Sequence, residues 1–273
     1  MELVSDQYNI QQQDCCVFLR GQLDNTIDLT ITSPPYDNLR DYDNHNAYDS
    51  HTLGKELFRC TKDGGIACVI IQDATKDFAK SLTSFKLAID WCNSGWKLFE
   101  CCIYQRNGTP GNWWSKRFRV DHEYIMIFFK GDKPRFFDKS HMMVPCLDKY
   151  ANKSKKITVR LADGTTKSNN AFINATKCPG TIWHYLSASQ ENFNANKIKK
   201  QHPATMPEKL TSDLIRCFSK PNDVVFDPFL GSGTVAVNAI NLNRQFIGCE
   251  ISEKYMNIIQ QRIENETGKT QKI

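Results

Sequence analysis

The sequence lacks the features that would place the protein in or across a membrane. No run of about eighteen apolar residues, the approximate length of a membrane-spanning helix, occurs in the chain. The first ten residues, MELVSDQYNI, carry acidic and polar side chains instead of the basic start and apolar stretch of a secretion signal. These absences predict a cytoplasmic protein that has no membrane partner.

Patterns typical of disulfides and of structural metal sites are also missing, although the chain has 11 cysteines. The count is odd, two pairs are adjacent in sequence (Cys15-Cys16 and Cys101-Cys102), and no CxxC motif occurs. No group of Cys and His residues has the spacing of a zinc site. We interpret the cysteines as small buried hydrophobic residues and predict no metal.

A strong net charge is absent too, but the charges are unevenly distributed along the chain. The formal net charge is only +5. Residues 133–200 contain 13 Lys or Arg and 4 Asp or Glu, so this segment carries +9 while the rest of the chain carries −4. A solvated, Lys- and Asn-rich loop region and a surface that binds the phosphates of a nucleic acid both explain such a cluster.

Two regions with an α/β pattern flank the basic segment, and no repeat or low-complexity tract occurs. In the first region the pattern predicts helices at 51–61 and 80–92, and strands at 15–19, 28–32, 66–71, 97–105 and 123–129. In the second region it predicts strands at 223–229 and 245–251, and helices at 207–219, 232–243 and 252–265. This alternation predicts one doubly wound, mostly parallel α/β sheet.

The second region contains a strand, a glycine-containing turn and a helix, in VVFDPFLGSGTVAVNAI. Gly231 and Gly233 stand where a backbone approaches a ligand at a helix N-terminus, whose amide donors suit an anionic or polar group. Glu250 ends the next strand, where a carboxylate can accept both hydroxyls of a ribose. A tight turn without a ligand is the alternative for the glycines alone, but the series of strand, turn, helix, strand and acid favours a binding site.

A second motif ends a predicted strand in an unusual way. Residues 28–36, DLTITSPPY, alternate as a strand does and then place two prolines in succession. Proline lacks a backbone donor and fixes φ, so the strand must stop in a stiff turn. A plain turn with a packed tyrosine is the alternative to a functional role.

Together, TSPPY at 32–36 and FDPFLGSGT at 226–234 resemble the motifs of the amino-group DNA methyltransferases. The resemblance covers nearly the whole chain, since GWKLFECCIYQR at 95–106, HEYIMIFFK at 122–130 and HPATMPEKL at 202–210 are similar to further segments of that family. The catalytic motif precedes the cofactor motif, with a variable segment between them. This order is similar to that of the circularly permuted group called β.

The resemblance implies a doubly wound, mostly parallel, seven-stranded Rossmann-like α/β sheet that binds S-adenosyl-L-methionine, with an inserted target-recognition region. The implied divisions are a catalytic half at 1–132, the target-recognition insertion at 133–201 and a cofactor-binding half at 202–273. The insertion coincides with the segment that carries the +9 charge.

The resemblance also implies which residues hold the cofactor. They are Asp14, His202, Pro203, Ala204, Pro207, Asp227, Phe229, Gly231, Ser232, Gly233, Thr234 and Glu250. Asp14 matches an acidic position near the adenine of the cofactor, although Gln13 stands where the family often has Gly. Capping of a short following helix is the alternative role for Asp14.

An exocyclic amine of cytosine or adenine is a poor nucleophile because its lone pair is delocalised into the ring. The resemblance implies that the Ser33 side chain and the Pro34 carbonyl accept the two N–H bonds, while Pro35 stiffens the turn. Tyr36 would stack on the base flipped out of the duplex. SPPY favours N4 of cytosine over N6 of adenine; an RNA methyltransferase and a non-catalytic DNA-binding subunit are further alternatives.

Double-stranded DNA is the partner that the resemblance implies. Predicted DNA contacts lie after the SPPY motif, beside Trp113 and Trp114, and in the basic segment, at Asn38, Arg40, Lys116, Arg117, Lys153, Lys155 and Lys156. Core packing is the alternative role for the two tryptophans. We interpret His122 and Glu123 as residues that orient the active-site loops, because methyl transfer from a sulfonium needs no strong base. A homodimer and an accompanying restriction endonuclease that makes no direct contact are also expected.

Overall fold

The computed structural model describes five stretches of the chain, which are residues 1–35, 48–106, 116–149, 151–186 and 204–267. The chain divides into two compact units. The larger one comprises Met1–Asp138 and Thr181–Ile273, and the smaller one comprises Lys139–Gly180. None of the helices in the described stretches is both long and apolar enough to cross a membrane. All 11 cysteines are free thiols.

The larger unit is built on one nine-stranded sheet, with strands numbered along the whole chain. They are β1 (Glu2–Val4), β2 (Tyr8–Gln12), β3 (Ile27–Thr32), β4 (Thr61–Ile71), β7 (Lys97–Arg106), β8 (His122–Phe129), β13 (Ile182–Tyr185), β14 (Val224–Asp227) and β15 (Gln245–Glu250). Their order across the sheet is β1-β2-β15-β14-β3-β4-β8-β7-β13. The short strands β5 (Thr75–Lys76) and β6 (Ala79–Lys80) form a separate hairpin.

Strand direction confirms the predicted α/β class. All strands of the sheet except β1 and β8 run in the same direction, since those two pair antiparallel with their neighbours and the other pairs are parallel. The predicted seven-stranded sheet corresponds to the strands from β2 to β7 in this order, and β1 and β13 add one strand at each edge. Parallel strands end at the same edge, so their carboxyl ends bring distant segments of the chain together.

Within the described stretches, six α-helices accompany the sheet. They are α1 (Cys15–Arg20), α2 (Ser50–Cys60), α3 (Thr83–Asn93), α4 (Glu208–Phe218), α5 (Thr234–Asn241) and α6 (Glu253–Glu266). Helix α2 contacts α1 and α3, and α5 contacts α4 and α6, so the helices form two groups of three. The apolar core includes Phe18, Leu57, Trp91, Trp96 and Phe128, all buried.

The strand predicted at 15–19 is wrong, because these residues form α1. The Asp14 carboxylate accepts the backbone N–H groups of Cys16 and Val17, which stabilises the first turn of a helix. Cys15, Phe18 and Leu19 are buried, at the spacing of one helix face. The five apolar residues 15–19 are compatible with a strand or with a helix, and capping by the preceding Asp14 favours the helix.

Near the N-terminal end of β3, the buried Asp28 carboxylate contacts three other segments of the chain. It accepts a hydrogen bond from Lys62 at 2.7 Å and from the backbone N–H of Val224 at 2.8 Å, and it pairs with Arg135. Buried carboxylates require such partners. Arg135 thereby ties the segment after β8 to the larger unit, so the compact smaller unit is shorter than the insertion predicted at 133–201.

In its described residues, the smaller unit contains two pairs of antiparallel strands and one short 3-10 helix, Ser140–Met142. The strands are β9 (Val144–Pro145), β10 (Lys153–Arg160), β11 (Thr166–Ile173) and β12 (Thr176–Lys177). β10 pairs with β11 over eight residues, and β9 pairs with β12 over two.

Candidate active site

The SPPY motif begins at the carboxyl end of the buried strand β3. The pairing of β3 with β4 ends at Thr32 of β3 and Val69 of β4, although β4 itself continues to Ile71. Pro34 is buried, whereas Ser33 and Pro35 are half-buried. The prolines follow the end of the ladder, as expected from their missing N–H groups. Tyr36 lies outside the described residues.

The glycine turn lies at the end of β14, the strand directly beside β3. Gly231 and Gly233 have φ values of +51° and +79°, which glycine adopts without steric cost. A Cβ atom at Gly233 would lie 3.2 Å from Ile259 of α6. The sequence therefore places glycine where the chain needs both a left-handed turn and a close approach to a neighbouring helix.

The Glu250 carboxylate, at the end of β15, closes this turn. Its Oε2 atom accepts the Gly231 N–H at 2.7 Å, and its Oε1 atom accepts the Ser252 N–H at 3.0 Å. The N–H of Gly233 donates to Leu230 at 2.8 Å. Both glycine N–H groups therefore donate within the protein, and the contact of Gly231 and Gly233 with the cofactor stays a prediction.

Asp227 ends β14 and is only 2% exposed. Its Oδ1 atom accepts the backbone N–H of Phe229 at 3.0 Å. Burial raises the pKa of Asp227 to about 7, against the lowering effect of that hydrogen bond, and the nearby Glu250 charge raises it further. Burial therefore favours the protonated form of this carboxyl group, in contrast to an ordinary surface aspartate.

Asp14 lies at the same edge, just after β2, which pairs with β15 up to Gln12 and Glu250. The Asp14 side chain is exposed, and it caps α1 through two backbone N–H groups. The capping role is confirmed, while a contact with the cofactor stays a prediction. Its neighbours Cys15 and Cys16 are thiols whose pKa burial raises, so they remain protonated at neutral pH.

Ser232 and Thr234 are buried and connect the turn to α6. The Arg262 guanidinium donates from Nη1 to the Ser232 carbonyl and to Thr234 Oγ1, both at 2.9 Å. It also forms ion pairs with Glu208 of α4 and Glu266 of α6. Sequence reasoning missed Arg262, although a single arginine on the apolar face of α6, next to Ile263, was a visible signal.

The segment HPATMPEKL at 202–210 lies only partly within the described residues. His202 and Pro203 lie outside the described residues, as do Asn38 and Arg40. Ala204 is half-buried, and Pro207 is buried at the N-terminus of α4, where its carbonyl accepts the Thr211 N–H at 3.1 Å. Pro207 thus starts the helix that also supplies Glu208 to Arg262.

Polar contacts connect the carboxyl end of β4 with β7 and β8. Glu123 forms an ion pair with Arg106 at 3.1 Å, and Arg106 donates to Gln72 Oε1 at 3.2 Å. Gln72 in turn donates to the His122 carbonyl at 3.0 Å. These contacts agree with the interpretation that Glu123 orients the surrounding chain instead of acting as a general base.

A groove of about 860 Å³ lies against these residues. Aromatic and cationic side chains line it, among them Phe78, Phe85, Tyr124, Lys80, Lys116 and Arg117. Burial lowers the pKa of Lys80, and the charge of Arg117 lowers it further, against the opposite effect of Asp73. Arg117 Nη1 is buried and has no hydrogen-bond partner in the part of the chain that the structure describes.

Comparisons with known proteins agree with this arrangement. A family model described as DNA methylase matches residues 27–261. The orphan methyltransferase M.BamHII of Bacillus amyloliquefaciens is 36% identical over 247 residues, which are 89% of this chain and 90% of the relative. The type II methyltransferase M1.MboII of Moraxella bovis is 28% identical over 261 residues, which are 91% and 93% of the two chains.

Solved structures share the fold. The PvuII DNA methyltransferase, which is described as cytosine-N4-specific, superposes with a TM-score of 0.67 at 21% identity over 96% of this chain and 94% of its own. The complex of M1.HpyAVI with SAM gives a TM-score of 0.59 at 18% identity over 94% and 98%. The predicted DNA methyltransferase is confirmed. The chain belongs to the DNA methylase family of N6- and N4-amino methyltransferases.

Proposed function

We propose that the protein methylates the exocyclic amine of a base flipped out of duplex DNA, at N4 of cytosine in preference to N6 of adenine. The observation that carries this proposal is the pairing of β3 with β14. It brings the SPPY motif and the glycine turn to one edge of the sheet, next to each other. Methyl transfer requires the methyl acceptor and the methyl donor to bind next to each other.

The cofactor-side residues fit S-adenosyl-L-methionine. Asp227 and Glu250 end adjacent parallel strands, where ligands of open α/β sheets bind. Glu250 ends β15 at the position where a carboxylate can accept the hydroxyls of a ribose. Phe229, which follows Asp227 and contacts Tyr48 edge-on, supplies an apolar surface in the same turn.

On the acceptor side, we assign the two N–H bonds of the amine to Ser33 Oγ and the Pro34 carbonyl. Accepting both bonds rehybridises the nitrogen and localises its lone pair for attack. When bound, S-adenosyl-L-methionine supplies the electrophilic sulfonium methyl group. The amine loses its proton after attack, so Ser33 need not act as a strong base.

The cationic groove beside β4 supports duplex DNA as the substrate. Arg117, whose Nη1 atom has no hydrogen-bond partner among the described residues, and the neighbouring Lys80 can bind backbone phosphates next to the flipped nucleotide. Lys116 and Arg117 were predicted as DNA contacts. We add Lys80 to these proposed contacts, because it lines the same groove. The exposed ring of Phe78, at 62% exposure, offers a stacking surface for an unpaired base.

The preference for cytosine rests on Ser33 and on one structural neighbour. SPPY leans towards cytosine in the family that the chain resembles. The PvuII enzyme, which shares the fold, is described as cytosine-N4-specific. Both observations favour the same base, and the direct test is the identity of the methylated nucleoside.

The test uses purified protein, methyl-labelled S-adenosyl-L-methionine and duplex DNA, followed by digestion to nucleosides. We expect label on N4-methylcytosine. Label only on adenine would overturn the choice of base, and label that enters structured RNA but not duplex DNA would overturn the substrate. The Ser33→Ala variant should methylate about 100-fold more slowly, by analogy with the loss of one active-site hydrogen-bond partner.

Ser94→Ala is a matched control for Ser33→Ala, because Ser94 lies at the end of α3 and its hydroxyl donates to Asp90. It should transfer methyl groups at the wild-type rate. Both variants should bind the cofactor with unchanged affinity in calorimetry. A Ser33→Ala variant with normal turnover would contradict the assigned role.

Three wider expectations remain proposals. The 11 free thiols support a reducing, cytoplasmic location. The type II methyltransferase M1.MboII among the relatives supports an accompanying restriction endonuclease. The homodimer rests on the resemblance alone, and sedimentation of the purified protein tests it.

A further inference from the structure

The smaller unit contains a two-stranded antiparallel ribbon, formed by β10 and β11, whose two faces differ. The strands pair in register from Lys153 with Ile173 to Arg160 with Thr166. Paired residues of antiparallel strands share a face, and successive residues alternate between faces. The inner face carries the pairs 153/173, 155/171, 157/169 and 159/167. The outer face carries the pairs 154/172, 156/170, 158/168 and 160/166.

The inner face is partly covered. All residues of the ribbon that are half-buried lie on it, namely Lys155, Ile157, Ala171 and Ile173. The Lys155 ammonium forms an ion pair with Asp148 at 3.0 Å. Lys155, predicted as a DNA contact from its sequence, is therefore partnered on the covered face.

Every residue of the outer face is exposed. The side chains are of the types that read base edges, because Arg and Lys bind guanine, Asn binds adenine, and Ser and Thr bind either. Lys156 lies directly opposite Asn170, and Arg160 lies opposite Thr166. Phe172, 62% exposed, can contact the methyl group of thymine. Neither strand contains an acidic residue.

The ribbon is held rigid at its turn. The Leu161 N–H donates to the Thr165 carbonyl at 2.8 Å, and Asp163 Oδ1 accepts both the N–H and the hydroxyl of Thr165. Gly164 supplies the required positive φ of +84°. A pre-organised strand pair loses little conformational entropy when it binds.

The shape of the ribbon matches duplex DNA. The major groove, about 12 Å wide, admits a two-stranded β-ribbon, and eight residues span about 27 Å along it. Besides the ion-paired Lys155, the ribbon carries four cations, Lys153, Lys156, Arg160 and Lys167, which complement the phosphates that border the groove. The deep and narrow major groove of A-form RNA excludes side chains, so the same face does not suit RNA.

Resting on the proposed function, we propose that the outer face of the ribbon enters the major groove and reads the target sequence through Lys156, Arg160 and Asn170. These residues determine which site is methylated, and they are separate from the residues that transfer the methyl group. Lys153 and Lys167, on the other face, contribute through phosphates and carry no sequence information.

The test maps methylated bases in DNA from cells that express each protein. The wild type defines the recognition site, and Asn170→Ala should accept other bases at one position of it. On duplexes that differ at that base pair, the ratio of kcat/KM between cognate and altered site should fall about tenfold to a hundredfold. Asn169→Ala is the matched control, since the same residue type one position earlier belongs to the inner face.

Arg160→Lys is a second variant that keeps the charge and loses the planar guanidinium fork. It should also reduce discrimination at one base pair, with an unchanged dependence of binding on salt. If Asn170→Ala and Arg160→Lys keep the wild-type site while remaining active, the ribbon does not read sequence and the proposal is overturned. If Asn169→Ala relaxes the site as much as Asn170→Ala does, the assignment of faces is overturned. Loss of the proposed function is a different result, because the wild type would then methylate no DNA at all.

Discussion

The carboxyl edge of the large sheet and the outer face of the ribbon place their polar residues in opposite environments. At the sheet edge, Asp227 and Glu250 are 2% and 8% exposed, and backbone N–H groups hold both carboxylates. On the ribbon, every outer-face residue is exposed. Residues at the sheet edge therefore support folding and chemistry together, whereas the outer face of the ribbon can change its side chains at little cost to folding.

The largest effect should come from Arg262→Ala, at the buried side of the glycine turn. Its removal leaves Glu208 and Glu266 without their cation and the Ser232 carbonyl without its donor. We expect the free energy of unfolding to fall by about 3 kcal/mol, at the low end for a broken buried ion pair because both glutamates are partly exposed. Urea unfolding measures it, and cofactor affinity should fall as well.

Arg244→Ala is the control for that variant. Arg244 is also a buried arginine, but it donates to Ser219 and Leu242, away from the turn. It should reduce stability and leave cofactor affinity unchanged once the fraction of folded protein is accounted for. If both variants lose cofactor affinity equally, Arg262 has no specific role in the turn.

The second prediction concerns the pH dependence of Asp227. Its folded-state pKa of about 7 lies above the unfolded value, so the folded protein keeps a proton that the unfolded chain has lost. The contribution of Asp227 to stability is therefore complete in acid and falls as pH rises from about 4 to about 7. Asp227→Asn keeps the acceptor for the Phe229 N–H but cannot ionise.

The difference in unfolding free energy between Asp227→Asn and the wild type should therefore grow in favour of the variant, by a few kcal/mol over that pH range. Urea titrations at a series of pH values measure it. A difference that stays constant with pH would show that Asp227 ionises at an ordinary pKa in the folded protein.

The third prediction is Tyr36→Ala, which removes the proposed stacking partner of the flipped base. Stacking of a base on an aromatic ring contributes about 1–3 kcal/mol, so kcat/KM should fall about tenfold to a hundredfold. Tyr36→Phe keeps the ring and should retain most activity. Single-turnover methylation of one duplex by the three proteins compares them, and equal losses in both variants would point to the hydroxyl instead.

The smallest effect is expected on the ribbon. Thr158 and Ser168 share a hydrogen bond of 2.9 Å at an exposed position, so Thr158→Val should change the unfolding free energy by less than about 0.5 kcal/mol. In contrast, Thr211→Val in the larger unit removes a buried hydrogen bond to Pro207 and should cost about 1 kcal/mol. Thermal unfolding of both variants compares the two regions, and a larger loss for Thr158→Val would contradict the difference drawn between them.

The pattern of the sequence predicted most elements of the larger unit, because buried parallel strands are continuous apolar runs that differ clearly from amphipathic helices. β3 and β8 lie within one residue of their predicted bounds, and β4 contains the predicted strand at 66–71 but begins five residues earlier. The ribbon was not predicted as strands. Its Lys- and Asn-rich composition is typical of loops, and only the register of β10 with β11 identifies it as paired structure.

The candidate active site likewise combines features that the sequence predicted with features that only the structure shows. The positions of the SPPY motif and of Glu250 follow from strand ends, which short-range sequence signals define. The role of Arg262 does not, because it depends on α6 packing against a turn thirty residues earlier in the chain. Likewise, only the folded chain shows that Glu250 accepts the Gly231 N–H.

The sequence by itself determined the family, the fold class and the residue types available for methyl transfer, because backbone constraints of proline and glycine and the periodicity of apolar residues act locally. Only the tertiary structure decided which polar groups satisfy each other, which face of the ribbon is covered, and that Lys155 and Lys156 lie on opposite faces. These outcomes depend on contacts between segments far apart in the chain, and no local pattern encodes such contacts.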